Sequence, residues 1–267
     1  MAYRLDRTRR RPITVLSIAA SDSGGGAGIQ ADLLTLAAHG VYGATAITAV
    51  TAQNTRGVFA AEPVRPELLL RQLETIFEDL SPAAVKIGAL GSAANVRTVA
   101  GALGRWKARH VVLDPVLGAS TGEPLLWRGL AVLRRELLPR CELVTPNVPE
   151  AEALSGVRIR GEADRRLAAG IIADRGAQNV LIKGGHARGG VVSDLLFDGR
   201  GFREFRHPRI VTRATHGTGC TLSSAIAANL ALGYELQEAV GRAIRYIEKA
   251  LRRGVFPGRG RGVPGHF

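Results

Sequence analysis

The feature that most constrains this chain is an alternation of short, apolar, β-branched runs with longer amphipathic ones. The short runs are Ile13–Ala19, Ala44–Thr51, Ala84–Ile87, His110–Leu113, Glu142–Thr145 and Asn179–Ile182. They are apolar at nearly every position, which is the pattern of strands covered on both faces. Helical patterns fall at Gly28–Ala38, Pro66–Leu80, Ala94–Arg109, Pro124–Leu138, Pro149–Leu154, Gly161–Gly176, Thr221–Leu232 and Leu236–Arg253. This alternation predicts a three-layer α/β/α fold with a mostly parallel central sheet and helices on both faces. One segment departs from it. Val191–Phe197 and Phe202–Phe205 flank Asp198-Gly199-Arg200-Gly201, a hairpin signal in which glycine supplies positive φ. An antiparallel hairpin near the sheet edge is expected there.

With 267 residues, 46% of them hydrophobic, the chain can bury a sizeable core. No composition break, repeat or low-complexity linker divides it, so a single domain is expected over 13–267, after a basic extension at 1–12. No apolar run approaches the ~20 residues that span a bilayer. The run Ile13–Ala20 leads into a glycine-rich loop rather than a cleavage site, and reads as a first strand instead of a signal peptide. Two cysteines, Cys141 and Cys220, give neither a disulfide framework nor metal-type spacing. A reduced, cytoplasmic setting is expected.

The net charge is +13 and the pI about 11.0, carried almost wholly by arginine. Such a balance suits nucleic acid, a membrane surface or an anionic substrate. The arginines are mostly scattered singly along the helical patterns, and no helix shows a clear continuous basic stripe, which favours solvated faces over a nucleic-acid interface. The clusters Arg7–Arg11 and Arg252–Arg261 are terminal. The Gly/Arg-rich tail Arg252–Phe267 would by itself suggest an RNA-binding tail, but it is short and lacks a repeated triplet.

Four constellations carry chemistry. Ser21-Asp22-Ser23-Gly24-Gly25-Gly26-Ala27-Gly28 lies between a strand and a helix, where glycines admit close backbone approach to a ligand. It is neither a P-loop nor a clean dinucleotide fingerprint, and a tight structural turn is the plainer alternative. Thr215-His216-Gly217-Thr218-Gly219-Cys220-Thr221 opens an apolar helix, so backbone N–H groups there can hold an anion. Cys220 at that positive end is expected to have a lowered pKa and to take a proton from a substrate hydroxyl. The plainer alternative is a small buried hydrophobe. In Thr145-Pro146-Asn147-Val148-Pro149-Glu150, a carboxylate and an amide at a strand end suit Mg²⁺. A helix cap with Glu150 answering Asn147 or Thr145 is the stronger local reading. Leu181-Ile182-Lys183-Gly184-Gly185-His186 places a phosphate-binding lysine at another strand end, with His186 read as a loop residue, and Asp114 stands at a further one. Together these loops fit phosphoryl transfer, in which positioning and electrostatics do most of the work.

The joint occurrence of Ser-Asp-Ser-Gly-Gly-Gly-Ala-Gly-Ile-Gln-Ala-Asp (21–32), Thr-Ala-Gln-Asn-Thr (51–55) and Thr-His-Gly-Thr-Gly-Cys-Thr (215–221) resembles the hydroxymethylpyrimidine/phosphomethylpyrimidine kinases. The likeness runs from about Val15 to Phe267, tail included. It implies a ribokinase-like fold, usually a homodimer. It also implies two ATP-dependent phosphorylations, of 4-amino-5-hydroxymethyl-2-methylpyrimidine and then of its monophosphate, in thiamine biosynthesis. The resemblance makes Cys220 the base and puts Gly217, Thr218 and Gly219 at the anion hole. It puts Asp22, Gly26, Ala27, Asp32, Gln53, Ala89 and Val116 at the pyrimidine pocket. Lys183, Asn147 and Thr215 fall to the nucleotide, and Asp114 and Glu150 to Mg²⁺. Three positions depart from the pattern. Ala20 stands where glycine is usual, Ala89 where methionine is usual, and Leu117–Thr121 lacks a frequent lysine. A roomier pocket at Ala89 keeps pyridoxal phosphorylation as the alternative.

Overall fold

The computed structural model describes residues 3–5, 11–118, 125–185 and 189–267. His186, residues 7–10 of the basic cluster, residues 119–121 of the lysine-free stretch and Pro124 lie outside them. Along the chain come β1 (Thr14–Asp22), α1 (Gly28–Ala38), β2 (Tyr42–Asn54), β3 (Gly57–Pro63), α2 (Pro66–Asp79), β4 (Ala84–Ile87), β5 (Gly91–Ser92), α3 (Ala93–Arg105), β6 (Val111–Leu113) and β7 (Leu126–Trp127). There follow α4 (Leu130–Val132), which continues through a π turn (Leu133–Leu137) and a 3-10 turn (Leu138–Arg140), then β8 (Leu143–Val144), α5 (Val148–Ser155), α6 (Glu162–Asp174), β9 (Asn179–Ile182), β10 (Val191–Phe197), β11 (Phe202–Pro208), α7 (Thr218–Ala231) and α8 (Leu236–Arg252).

Nine strands form one sheet in the order β11-β10-β9-β8-β6-β4-β1-β2-β3. The six from β9 to β2 run parallel, and β10, β11 and β3 are antiparallel additions at the two edges. The near-continuous apolarity of the strands has a direct cause. Leu16, Ile18, Val85, Ile87, Leu113, Val144 and Val180 face one layer, built from α2, α3, α5 and α6. Their neighbours Val15, Ala84, Val112, Leu143 and Leu181 face the other, built from α1, α7 and α8. Both sides are dry, so neither alternate set is polar. Among the described residues no helix is long and apolar enough to cross a membrane.

The expected hairpin is β10–β11, with Gly199 at φ +79° and Asp198 Oδ1 accepting the Arg200 and Gly201 N–H groups. A second hairpin, β2–β3, was not anticipated. The strand expected to stop at Thr51 runs on to Asn54, whose Oδ1 accepts the Arg56 N–H at 2.8 Å and closes the turn. The helix expected to run to Arg109 stops at Arg105, because Lys107 and His110 both take positive φ. α7 begins at Thr218, three residues before the expected Thr221, and so takes Gly219 and Cys220 into its first turn. The Gly/Arg tail is folded onto the protein. The Arg261 and Gly260 N–H groups bond to Thr55 at the β2–β3 turn, and Gly262 bonds to Arg213 and His216.

Between β1, β4, α1 and α7 lies a fully buried ion pair. Lys86 Nζ stands 2.8 and 2.9 Å from the two oxygens of Asp32, and both side chains are wholly inaccessible. Ser17 Oγ donates to the same carboxylate at 2.6 Å, and Ser224 Oγ at 2.8 Å. Burial opposes the charge on Lys86, but the Asp32 carboxylate prevails and holds the ammonium above the ordinary lysine range. Lys86→Met should strand the carboxylate and cost about 3–5 kcal/mol in urea unfolding, whereas Lys86→Met with Asp32→Leu should recover most of the loss. A single variant as stable as the parent would contradict this reading of the pair.

Candidate active site

A cavity of about 940 Å³ opens at the carboxyl ends of the parallel strands. That is where a parallel α/β sheet exposes strand-end loops and helix N-termini to a ligand. Of the residues singled out in the sequence, Asp22, Ala27, Gln53, Ala89, Asp114, Val116, Asn147, Glu150, Lys183, Thr215, Gly217, Thr218, Gly219 and Cys220 all line it. Gly26 and Asp32 do not. A Cβ on Gly26 would lie 2.5 Å from His216 Cδ2, so this glycine admits the histidine rather than a ligand. Asp32 is spent on Lys86 beneath the cavity.

At one end, the Asp22 carboxylate organises the glycine-rich loop. Its Oδ1 accepts the Gly24 N–H at 2.7 Å, and its Oδ2 accepts those of Gly26 at 3.1 Å and Ala27 at 2.8 Å. His216 Nε2 lies 3.1 Å from the same Oδ2. Burial alone would raise the Asp22 pKa, but the His216 contact and the backbone donors outweigh it and hold the carboxyl below the usual range. Gln53 lies beside it at the end of β2. Its backbone is tied to Ser23 Oγ, and its amide lies 3.1 Å from His216 Nε2.

The middle of the cavity is the first turn of α7. Gly217 caps it at φ +79°, and a Cβ there would sit 1.9 Å from the Gly26 carbonyl oxygen, so no other residue fits. The next N–H groups lack intrahelical acceptors by the geometry of any helix start and face the cavity with a partial positive charge. Cys220 reverses the sequence expectation. Burial pushes its thiol up to about 11; the Lys86 ammonium pulls it down, while Asp32 and Asp114 push it further up. The free protein therefore carries a protonated thiol at neutral pH, because desolvation of a thiolate outweighs the Lys86 ammonium and the Gly28 N–H that favour it.

Beyond Cys220 lie the charged groups. Lys183 Nζ meets Asp114 Oδ1 at 2.7 Å, and a Cβ on Gly219 would come within 3.1 Å of Asp114 Oδ2. Asn147 and Glu150 form a capping box at the start of α5, with 2.8 and 2.9 Å bonds. The cap and the cavity position are thus compatible readings of the same two residues. Burial raises the Glu150 carboxyl to about 7, with Lys183 lowering it and Asp114 raising it. Among the described residues no group of three or more metal-ligating side chains is assembled. Two carboxylates beside an anion site still suit Mg²⁺, which keeps waters and shares phosphate oxygens. Burial, with Asp114 adding to it, lifts Glu150, and a divalent cation would favour its ionised form.

Sequence reasoning gave His216 no role and missed Asp194, His207 and Glu248, which also line the cavity. Asp194 Oδ1 accepts the Gly184 N–H at 2.7 Å, while His207 lies between Asp194 (3.3 Å) and Glu248 (3.7 Å). The Asp194 contact raises the His207 pKa against its burial. The available signal was an aspartate inside an otherwise apolar strand, Val191–Phe197.

The chain is similar to known proteins over nearly its whole length. A family model described as phosphomethylpyrimidine kinase matches residues 22–264. The hydroxymethylpyrimidine/phosphomethylpyrimidine kinase of Rhizobium meliloti is 49% identical over 256 residues, covering 94% of this chain and 96% of that one. A bifunctional thiamine biosynthesis protein of Geobacter sulfurreducens is 48% identical over 263 residues; the match covers 97% of this chain but spans 54% of that relative's length. The ADP complex of Bacillus subtilis pyridoxal kinase superposes with a TM-score of 0.87 at 34% identity, covering 95% of this chain and 96% of the other.

A carbon-detected titration of the Glu150 carboxyl in the free protein should have its midpoint near 7. The raised value means that this group's ionisation costs stability, a cost absent below the ordinary carboxylate range and complete above 7. Glu150→Gln should therefore raise the melting temperature more at about pH 8 than at about pH 5. A midpoint in the ordinary carboxylate range would contradict the account.

Proposed function

The chain belongs to the phosphomethylpyrimidine kinase family, with a ribokinase-like fold, and we propose that it transfers the γ-phosphoryl group of ATP to hydroxymethylpyrimidine and then to the resulting monophosphate, in thiamine biosynthesis. The observation that carries this reading is the convergence of Gln53 and Asp22, the first turn of α7 and the Asp114–Lys183 pair on one cavity. A carboxamide both donates and accepts, which suits a ring nitrogen beside an exocyclic amine. Asp22, Gln53, Ala89 and Val116 hold the ring, and the hydroxymethyl group points at Cys220. Lys183, Asn147 and Thr215 serve the nucleotide. The N–H groups of Gly219 and Cys220 meet the charge that develops on the transferring group.

Asp114 and Glu150 would hold Mg²⁺ through waters and phosphate oxygens. The ion would neutralise charge on the transferring phosphoryl group. Cys220 accepts the substrate hydroxyl proton as thiolate. A thiol raised to about 11 makes the competent fraction grow with pH. The kinase is proposed to act in the cytoplasm as a homodimer of single domains spanning 13–267. Val50, Phe59 and Leu68 offer exposed apolar surface that a second copy would cover.

Pyridoxal is the second reading. The superposition with pyridoxal kinase favours it, as does the cluster of small residues Ala20, Ala49 and Ala89 at the pocket wall. The identity to a curated pyrimidine kinase, 49%, is higher than the 34% to the pyridoxal kinase. The pyrimidine is therefore preferred.

With Mg-ATP and hydroxymethylpyrimidine, ADP release should accompany the monophosphate and then the diphosphate, resolved by mass. Release with pyridoxal and none with the pyrimidine would overturn the substrate assignment. Cys220→Ala should nearly abolish turnover while ATP binding persists. In the parent enzyme the rate should climb about tenfold per unit between about pH 8 and 10, below the thiol midpoint. A flat profile, or an active Cys220→Ala, would remove Cys220 as the base.

A further inference from the structure

His216 Nε2 faces two groups at once, Asp22 Oδ2 at 3.1 Å and the Gln53 amide nitrogen at 3.1 Å. One ring nitrogen cannot donate to one and accept from the other. An ionised carboxylate only accepts, so the proton must sit on Nε2 and point at Asp22. An Nε2–H group then cannot accept from the amide NH₂, and two donors would oppose each other across 3.1 Å. Carboxamide oxygen and nitrogen fill nearly the same space, so a half-turn of the amide exchanges them without disturbing packing. The turned amide presents its oxygen to His216 and its NH₂ to Thr51 Oγ1. That hydroxyl lies 3.2 Å from the far end of the amide and gives its own proton to the Ser21 carbonyl at 3.0 Å. The Nε2 proton is then shared by the Asp22 and Gln53 oxygens, one amide N–H has Thr51 Oγ1 as acceptor, and the second amide N–H is left for a ligand.

We propose that His216 is a positioning residue that fixes the orientation of the Gln53 carboxamide, and with it the order in which the cavity offers donor and acceptor to a heteroaromatic ring. The surroundings leave His216 as the element that decides. The Gln53 backbone is pinned to Ser23 on both its N–H and its carbonyl. The His216 backbone N–H is pinned to the Gly262 carbonyl of the tail at 3.1 Å. Gly26 lacks a Cβ where one would collide with the imidazole, so the ring is seated in one place. Only the amide half-turn remains free, and the proton on Nε2 sets it. The order favours a ring carrying an amine beside an acceptor nitrogen over the oxo analogue, in which donor and acceptor are exchanged.

This inference rests on the reading of the cavity as a pyrimidine site, and two measurements separate their fates. In the free parent protein, long-range proton–nitrogen NMR should show the His216 proton on Nε2. A neutral ring protonated on Nδ1 alone would overturn the proposal whatever the substrate. In kinetics, His216→Ala should lower the preference for 4-amino-5-hydroxymethyl-2-methylpyrimidine over its 4-oxo analogue by about tenfold, the worth of one misdirected hydrogen bond. The loss should fall on the KM for the pyrimidine, with the KM for ATP unchanged. Equal loss on both ring analogues would reduce His216 to packing and overturn the proposal. A parent enzyme inactive on either pyrimidine would sink the substrate reading while leaving the tautomer result to stand or fall by itself.

Discussion

The buried pair of Lys86 and Asp32 is the interaction on which the remainder of the structure depends. Two charges without water are tolerable only with close geometry and further donors, which Ser17 and Ser224 supply. The four residues come from β4, α1, β1 and α7, so one polar knot fixes the relation of the sheet to the two helices that bear the cavity loops. Cys220 lies above this knot and feels both of its charges, in opposite directions. Beside it, Asp114 and Lys183 form a second pair against the first turn of α7. Each lysine is thus neutralised by a carboxylate. The cavity then offers a phosphate the backbone N–H groups at the start of α7 together with Arg209 and Arg261, which also line it, while Glu150 adds negative charge as it ionises near 7.

Close approach of three loops completes the arrangement. Gly217 lies against Gly26 so tightly that any side chain would overlap the carbonyl. The tail then closes over both: Gly260 would carry a Cβ only 2.0 Å from the Thr55 carbonyl, and Gly262 bonds the His216 backbone. The glycine content of the tail thus serves packing against the β2–β3 turn and the loop before α7. Of its arginines, Arg252, Arg253 and Arg259 are exposed, while Arg261, also exposed, lines the cavity. Arg242 on α8 is instead half-buried, lying 3.9 Å over the Tyr234 ring with its Nε donating to Asn229 Oδ1 at 3.1 Å.

Much of the fold was legible because strand and helix periods are strong local signals. Ala84–Ile87 and Asn179–Ile182 coincide with their strands, and Gly28–Ala38 with its helix. What was not legible depends on distant partners. β3 carries the short apolar run Val58–Ala61, but it is an exposed edge strand with Phe59 in solvent, and its antiparallel pairing with β2 is what makes it a strand. The break after Arg105 is followed by positive φ at Lys107 and His110, a conformation uncommon for any residue but glycine and therefore hard to read from the sequence. In the site, residue types indicated which loops would converge but could not distinguish a lining residue from a support. Asp32 resembles a pocket carboxylate until the position of Lys86 is known. The Cys220 thiol follows the same pattern: the sequence showed the helix terminus, and only the fold showed the burial that overrides it.

The account is tested most directly by the protonation state of Cys220 in the free protein, read from the carbon-13 shift of its Cβ across pH. The half-buried setting of Cys220 at the cavity floor predicts a midpoint of about 11, so the thiol stays protonated through neutrality. A midpoint below the ordinary thiol value would contradict it. That result would mean that the helix terminus and Lys86 dominate over burial, and that the electrostatic order described here is inverted.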